Sequence, residues 1–129
     1  MLNNKKTILF VDDEPNICRI ASSIVNPDEY HLITANNAND AYEKINQHSP
    51  NLIFSDSIMP NQDGFELCQK IKCDPATQHI SVVLLTNQEQ PQFQSRLSDV
   101  NADDYLIKPF SSTDFELKIK EWLPLTPIL

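Results

Sequence analysis

Short apolar runs rich in β-formers alternate five times with stretches whose apolar residues recur at helical spacing. No other feature constrains the fold of this chain as much. The runs TILFV (7–11), YHLITA (30–35), NLIFS (51–55), ISVVLLT (80–86) and DYLI (104–107) read as strands. Between them, helices are expected over 15–25, 39–48, 65–72, 92–100 and 111–123. The first carries Ile17, Ala21 and Ile24 on one face, widened by Ile20, and Pro15 suits its first turn. The second aligns Ala41, Tyr42 and Ile45; the third aligns Phe65, Cys68 and Ile71, with Leu67 beside them. The fourth is the weakest, with Phe93, Leu97 and Val100 behind the loop NQEQPQ, whose proline and polar residues suggest mobility. The fifth opens on the capping pair Ser111 and Asp114 and places Phe115, Ile119 and Trp122 on one face. Strands alternating with helices imply a parallel sheet, because a parallel neighbour needs a crossover long enough to hold a helix. The expected fold is α/β: a single five-stranded parallel sheet, right-handed crossovers, and helices on both faces. ISVVLLT, the most continuous run, reads as a strand covered on both sides.

At 129 residues the chain is long enough for one core and too short for two. One domain is expected over 1–123, and PLTPIL (124–129) reads as a terminus or the start of a linker. The net charge of −8 argues against a nucleic-acid surface or an anionic membrane patch, both of which need clustered Lys and Arg. No run is long and apolar enough to span a bilayer, and the start of the chain does not read as a signal peptide; a cytoplasmic location is expected. Cys18, Cys68 and Cys73 lack metal-type spacing and read as buried or half-buried free thiols. His31, His48 and His79 read as solvated or strand-edge residues rather than ligands.

In an open parallel sheet, ligands bind beyond the carboxyl ends of the strands. There the first run ends in Asp12, Asp13 and Glu14, the third in Asp56, the fourth in Thr86 and the fifth in Lys108-Pro109. Singly, each has an ordinary explanation: a helix cap for the acids, a strand residue for Thr86, a solvated charge for Lys108. Jointly they do not. Crowded carboxylates repel, and the relief is a proton or a cation. Hard oxygen ligands of this kind suit Mg²⁺. A hydroxyl and a lysine beside them suit phosphoryl oxygens. The set fits a carboxylate nucleophile that takes a phosphoryl group.

The motifs ILFVDDEP, DSIMPNQDGFEL, DPATQHISVVLLT and NADDYLIKPF, in this order, are similar to those of the receiver domain of bacterial response regulators, the CheY-like superfamily. The resemblance runs over about residues 5–123. It implies the flavodoxin-like (βα)5 receiver fold and a phosphorylation-dependent switch in two-component signalling or a phosphorelay. It implies that Asp56 is the phosphoacceptor, and that Mg²⁺ (or Mn²⁺) is held by Asp13, Asp56 and the backbone carbonyl of Ile58, with Asp12 acting through water. Thr86 and Lys108 would bind phosphoryl oxygens, Tyr105 would follow Thr86 as an aromatic switch, and Lys108-Pro109 would be cis. The implied donor is a sensor histidine kinase or a histidine phosphotransfer protein. The implied output is a downstream protein or an attached domain that reads the face of helix four, strand five and helix five. A homodimer through that face is left open. Such a domain catalyses its own phosphorylation and dephosphorylation and is not a turnover enzyme.

Some residues depart from the family pattern. Asn87 follows Thr86 where a small residue is usual and is expected to narrow access; Ile58 cannot orient an attacking water, whereas Gln88 could, so a moderately long-lived phosphoryl state is expected. Asn101 replaces a usual glycine and tolerates the left-handed conformation. Pro60 is expected to stiffen the loop after Asp56, and Gly64, the only glycine, to supply a positive φ there. Two other readings compete. An aspartyl phosphohydrolase would need a second acid two residues after the nucleophile, where Ile58 stands. A pseudo-receiver, a phosphorylation-independent interaction module, is the alternative: loss of Asp13, Asp56 or Lys108 would signal it and all three are present, but Asn87 keeps it open.

Overall fold

The structure is a computed structural model that describes residues 5–59, 63–87 and 91–125. Pro60, Gln88 and the last four residues of the tail, all given roles above, lie outside them. Strands β1 (Lys6–Val11), β2 (Tyr30–Ala35), β3 (Leu52–Asp56), β4 (Ser81–Thr86) and β5 (Asp104–Ile107) alternate with helices α1 (Pro15–Ile24), α2 (Ala38–His48), α3 (Gly64–Cys73), α4 (Pro91–Asp99) and α5 (Ser112–Trp122). All recorded strand pairings are parallel, in the order β2-β1-β3-β4-β5. The expected α/β sheet is therefore present, with β3 in the middle.

The continuous apolar runs have a simple cause. Successive side chains of a strand point to opposite faces, and here both faces are covered. Ile8 and Phe10 of β1 join Phe54, Val83 and Leu85 in a core closed by Cys18 and Ala21 of α1 and by Phe115 and Ile119 of α5. Leu9 and Val11 join Ile53, Val82 and Leu84 in a second core closed by α2, α3 and α4. Phe54 and Phe115, with ring centroids 4.8 Å apart, anchor the first.

Local chemistry fixes the helix ends. Asn37 caps α2 by accepting from the Asp40 amide at 2.8 Å, and Ser111 caps α5 by accepting from Asp114 at 3.0 Å, as its sequence predicts. Asn101 takes the left-handed conformation at φ 59°. Of the thiols, Cys18 and Cys68 are buried, whereas Cys73 is exposed, contrary to expectation, because it ends α3 away from the core. Burial pushes the Cys68 thiol up to about 12, so it stays protonated. The three histidines are exposed, His31 on the edge strand β2.

The opposite edge strand, β5, is pinned to α5 through Asp104. Its Oδ2 accepts from Lys118 Nζ at 2.7 Å and from Trp122 Nε1 at 3.0 Å. Burial alone would raise the Asp104 pKa, but the bonds from Lys118, Trp122 and the Tyr105 amide outweigh it and hold the carboxyl below its ordinary value. A lowered carboxyl pKa stabilises the fold above the unfolded value near 3.9, and that stability is lost as pH falls through the lower folded value. Asp104→Asn is therefore expected to cost about 1–2 kcal/mol at pH 7, with a deficit that shrinks as the pH falls below about 4. Urea denaturation across that range measures it.

Candidate functional site

The carboxyl ends of β1, β3, β4 and β5 meet at one edge of the sheet, and the register decides which side chains gather there. Val11 pairs with Ser55, Asp56 with Leu85, and Thr86 with Ile107. Asp12 and Asp56 thus fall at one level, with Thr86 one residue and Lys108 two residues further out at the same edge. Asp12 is fully buried, Asp56 and Thr86 nearly so. The chain path is fixed by backbone bonds: the Asp12 amide donates to Ala35 O at 3.1 Å, Ser57 to Leu85 O at 2.9 Å, and Lys108 to Thr86 O at 2.6 Å.

Lys108 Nζ reaches across this edge. It donates to Asp12 Oδ2 at 3.1 Å and to Asp56 Oδ2 at 3.3 Å, with only 11% of its side chain exposed. Burial raises the Asp56 pKa, and the neighbouring Asp12 charge adds to it, against the opposing pull of Lys108 and the Ile58 amide. Burial works to lower the Lys108 pKa, but its bond to Asp12 and the charges of both carboxylates leave it raised. Carboxylate oxygens of Asp12, Asp13 and Asp56 lie within 4.8 Å of one another. Three hard oxygen donors gathered this closely, two of them buried, fit a divalent cation such as Mg²⁺. The helix after β1 also uses this corner: Asp12 Oδ1 accepts from the Glu14 amide at 3.0 Å.

A cleft of about 480 Å³ opens over Asp56. The β-strand ends give it Asp13, Glu14, Ser57, Ile58, Thr86, Asn87 and Lys108, and α3 and α4 close it with Phe65, Gln92, Phe93 and Arg96. Ile58 is 74% exposed at the rim. Tyr105 lies outside the cleft, half-buried on β5, with its ring 5.5 Å from that of Phe93; Phe93 in turn lies 5.6 Å from Phe65. Lys108-Pro109 is cis, as the resemblance implies.

The response regulator receiver domain model matches residues 8–120. The chain belongs to the response regulator receiver domain family. It is a module of phosphorylation-dependent response regulator signalling, and the family is one of signalling domains rather than turnover enzymes. The receiver is 40% identical over 92% of its length to part of histidine kinase P4 of Formosa agariphila, covering 9% of that protein. It is 33% identical over 94% of its length to the phosphate regulon transcriptional regulatory protein PhoB of Pseudomonas aeruginosa, covering 53% of it. It therefore spans about half, or far less, of these relatives. Its fold matches the chemotaxis protein CheY4 of Vibrio cholerae with a TM-score of 0.86 at 24% identity, over 92% and 99% of the two chains. It matches the receiver domain of a signal transduction histidine kinase from Syntrophus aciditrophicus with a TM-score of 0.82 at 28% identity, over 96% of each.

Sequence reasoning missed the α4 wall of the receiver's cleft. Gln92 and Arg96 stand one helical turn apart, a spacing that could have flagged them, but nothing in the sequence aims that turn at Asp56. The role expected of Gly64 needs correction. No described glycine has a positive φ; Gly64 is the first residue of α3, and its amide donates to Ser57 O at 2.9 Å. Glycine is required by close approach instead: a Cβ there would overlap the Asp56 carbonyl and lie 3.0 Å from Ser57 Cα. Asp63, just before it, caps α3 by accepting from the Phe65 amide at 2.6 Å. Gly64→Ala is expected to cost about 2–4 kcal/mol, as an overpacking change against backbone. Thermal unfolding against Phe65→Leu, a milder change on the same turn, measures it.

Proposed function

We propose that Asp56 of this receiver accepts a phosphoryl group from a phosphohistidine donor, and that the modified site then changes the α4-β5-α5 face. The observation that carries this is the convergence of Asp12, Asp13, Asp56 and Lys108 on one cleft, with Lys108 Nζ bonded to both buried carboxylates. Asp56 supplies the nucleophilic oxygen. It attacks phosphorus, the phosphorus–nitrogen bond to the donor imidazole breaks with its electron pair staying on nitrogen, and the imidazole, having taken a proton on its ring, leaves neutral. Phosphoryl transfer is governed by positioning and charge stabilisation. Mg²⁺ held by Asp13, Asp56 and the Ile58 carbonyl, with Asp12 through water, would supply charge neutralisation for the acids and the phosphoryl oxygens. Lys108 would move from the Asp56 carboxylate onto a phosphoryl oxygen, and the Thr86 hydroxyl would donate to another. Hydrolysis of the aspartyl phosphate by the same site resets it, with Asn87 and Ile58 at the rim limiting the approach of water.

The output half of the proposal runs through Thr86 and Tyr105. A hydroxyl drawn toward the phosphoryl group would leave space behind it, and Tyr105, in the chain of rings with Phe93 and Phe65, would move in response. A sensor histidine kinase or phosphotransfer protein is the donor in this reading, and a separate partner or an attached output domain reads the face. The free thiols fit the cytoplasm as the setting.

Incubation with Mg²⁺ and phosphoramidate, followed by intact mass, tests the reading. A gain of one phosphoryl mass is expected, lost in Asp56→Asn and without Mg²⁺, and reduced by about a hundredfold in rate in Lys108→Ala. A gain that persists in Asp56→Asn would overturn the assignment.

A further inference from the structure

The cleft is much larger than a phosphoryl group needs. A water takes up about 30 Å³ of liquid, so a group of a few heavy atoms fills a small part of 480 Å³. Asp13 and Glu14 line one side of the remaining volume, and α4 walls the other with Arg96 as its charged residue. Two contacts hold that side chain while leaving 49% of it exposed. Its guanidinium carbon sits 3.9 Å from the centroid of the Phe65 ring, and Nη2 donates to Asp63 Oδ2 at 2.8 Å. The bond to Asp63 uses one nitrogen of a planar fork that carries five N–H donors. Gln92, a turn earlier, lines the same wall. Lys108 serves Asp12, Asp56 and, in the proposed reaction, a phosphoryl oxygen, which leaves Arg96 as the other cation lining the cleft.

In-line displacement sends the leaving atom away from Asp56, into this outer volume. What arrives there depends on the donor. When Asp56 attacks an acyl phosphate, the new bond is Asp56 oxygen to phosphorus, and the bond from phosphorus to the bridging acyl oxygen breaks. The electron pair stays on that oxygen, and the acyl group departs as a carboxylate without needing a proton. A phosphoramidate or phosphoimidazole departs instead as a neutral amine or imidazole after taking a proton.

We propose that Arg96, assisted by Gln92, forms a leaving-group subsite for small acyl phosphates, stabilising the carboxylate that develops as the acyl oxygen departs. The inference rests on the reading of Asp56 as phosphoacceptor. It makes Arg96 a donor-selecting residue: a fixed cation accelerates transfer from acyl phosphates and does nothing for a neutral leaving group.

The test compares initial phosphorylation rates of the wild type and Arg96→Gln with acetyl phosphate and with phosphoramidate, both with Mg²⁺, by intact mass. Arg96→Gln is expected to lose about three- to tenfold with acetyl phosphate, the range for a half-exposed charged hydrogen bond, and to keep its phosphoramidate rate within about twofold. An equal loss with both donors would show that Arg96 only ties α4 to the start of α3, and would overturn the inference while leaving Asp56 as the acceptor. No loss with either donor would overturn it too. A wild type that neither donor phosphorylates would overturn the phosphoacceptor reading and this one together.

Discussion

Two buried carboxylates at the same edge of one sheet need a counter-charge, and Lys108 supplies it. Asp12 has no exposed surface and Asp56 little, yet each accepts from Lys108 Nζ. Without that cation the burial would leave an uncompensated charge, which costs several kcal/mol. The fold serves this requirement directly. A strand buried on both faces can hold its terminal residue rigidly, and parallel pairing in register brings Asp12 and Asp56 level at the edge where Thr86 and Lys108 follow one and two residues further out. The aromatic core under α1 and α5 and the aliphatic core under α2, α3 and α4 keep the sheet from moving beneath them.

The cleft is walled on one side by α4, which meets the rest through side chains: Leu97 in the core, Arg96 to Asp63, and the rings of Phe93 to Phe65 and Tyr105. These contacts link the region over Asp56 to β5, the strand that Asp104 fastens to α5. A shift in charge at Asp56 therefore has a short physical route to an exposed edge of the sheet.

Most of this was legible in the sequence for identifiable reasons. The period of the apolar residues separated strand from helix, and parallel topology follows from the alternation, so the strand-end acids could be placed before any coordinates. Caps with short-range signals, such as Ser111 with Asp114, were legible for the same reason. Gly64 is legible as a constrained position where the loop after Asp56 meets α3, but its need for glycine comes from the Asp56 carbonyl packed against it, a contact that turn chemistry does not encode. The α4 wall was hidden because α4 has the weakest apolar pattern, and which of its faces meets the cleft is decided by Phe93 packing on Phe65 and Tyr105. Cys73 was grouped with the buried thiols because spacing alone does not say where α3 leaves the core.

The proposed divalent-cation site of Asp12, Asp13 and Asp56 shares two of its carboxylates with Lys108. Titration with Mn²⁺, followed by electron paramagnetic resonance of the free ion, tests it most directly. The account predicts one site per chain that is weakened in Asp13→Asn and in Asp56→Asn and tightened in Lys108→Ala, because removing the lysine frees Asp12 and Asp56 for the metal. Binding that is indifferent to Asp13 and Asp56, or weaker without Lys108, would contradict it.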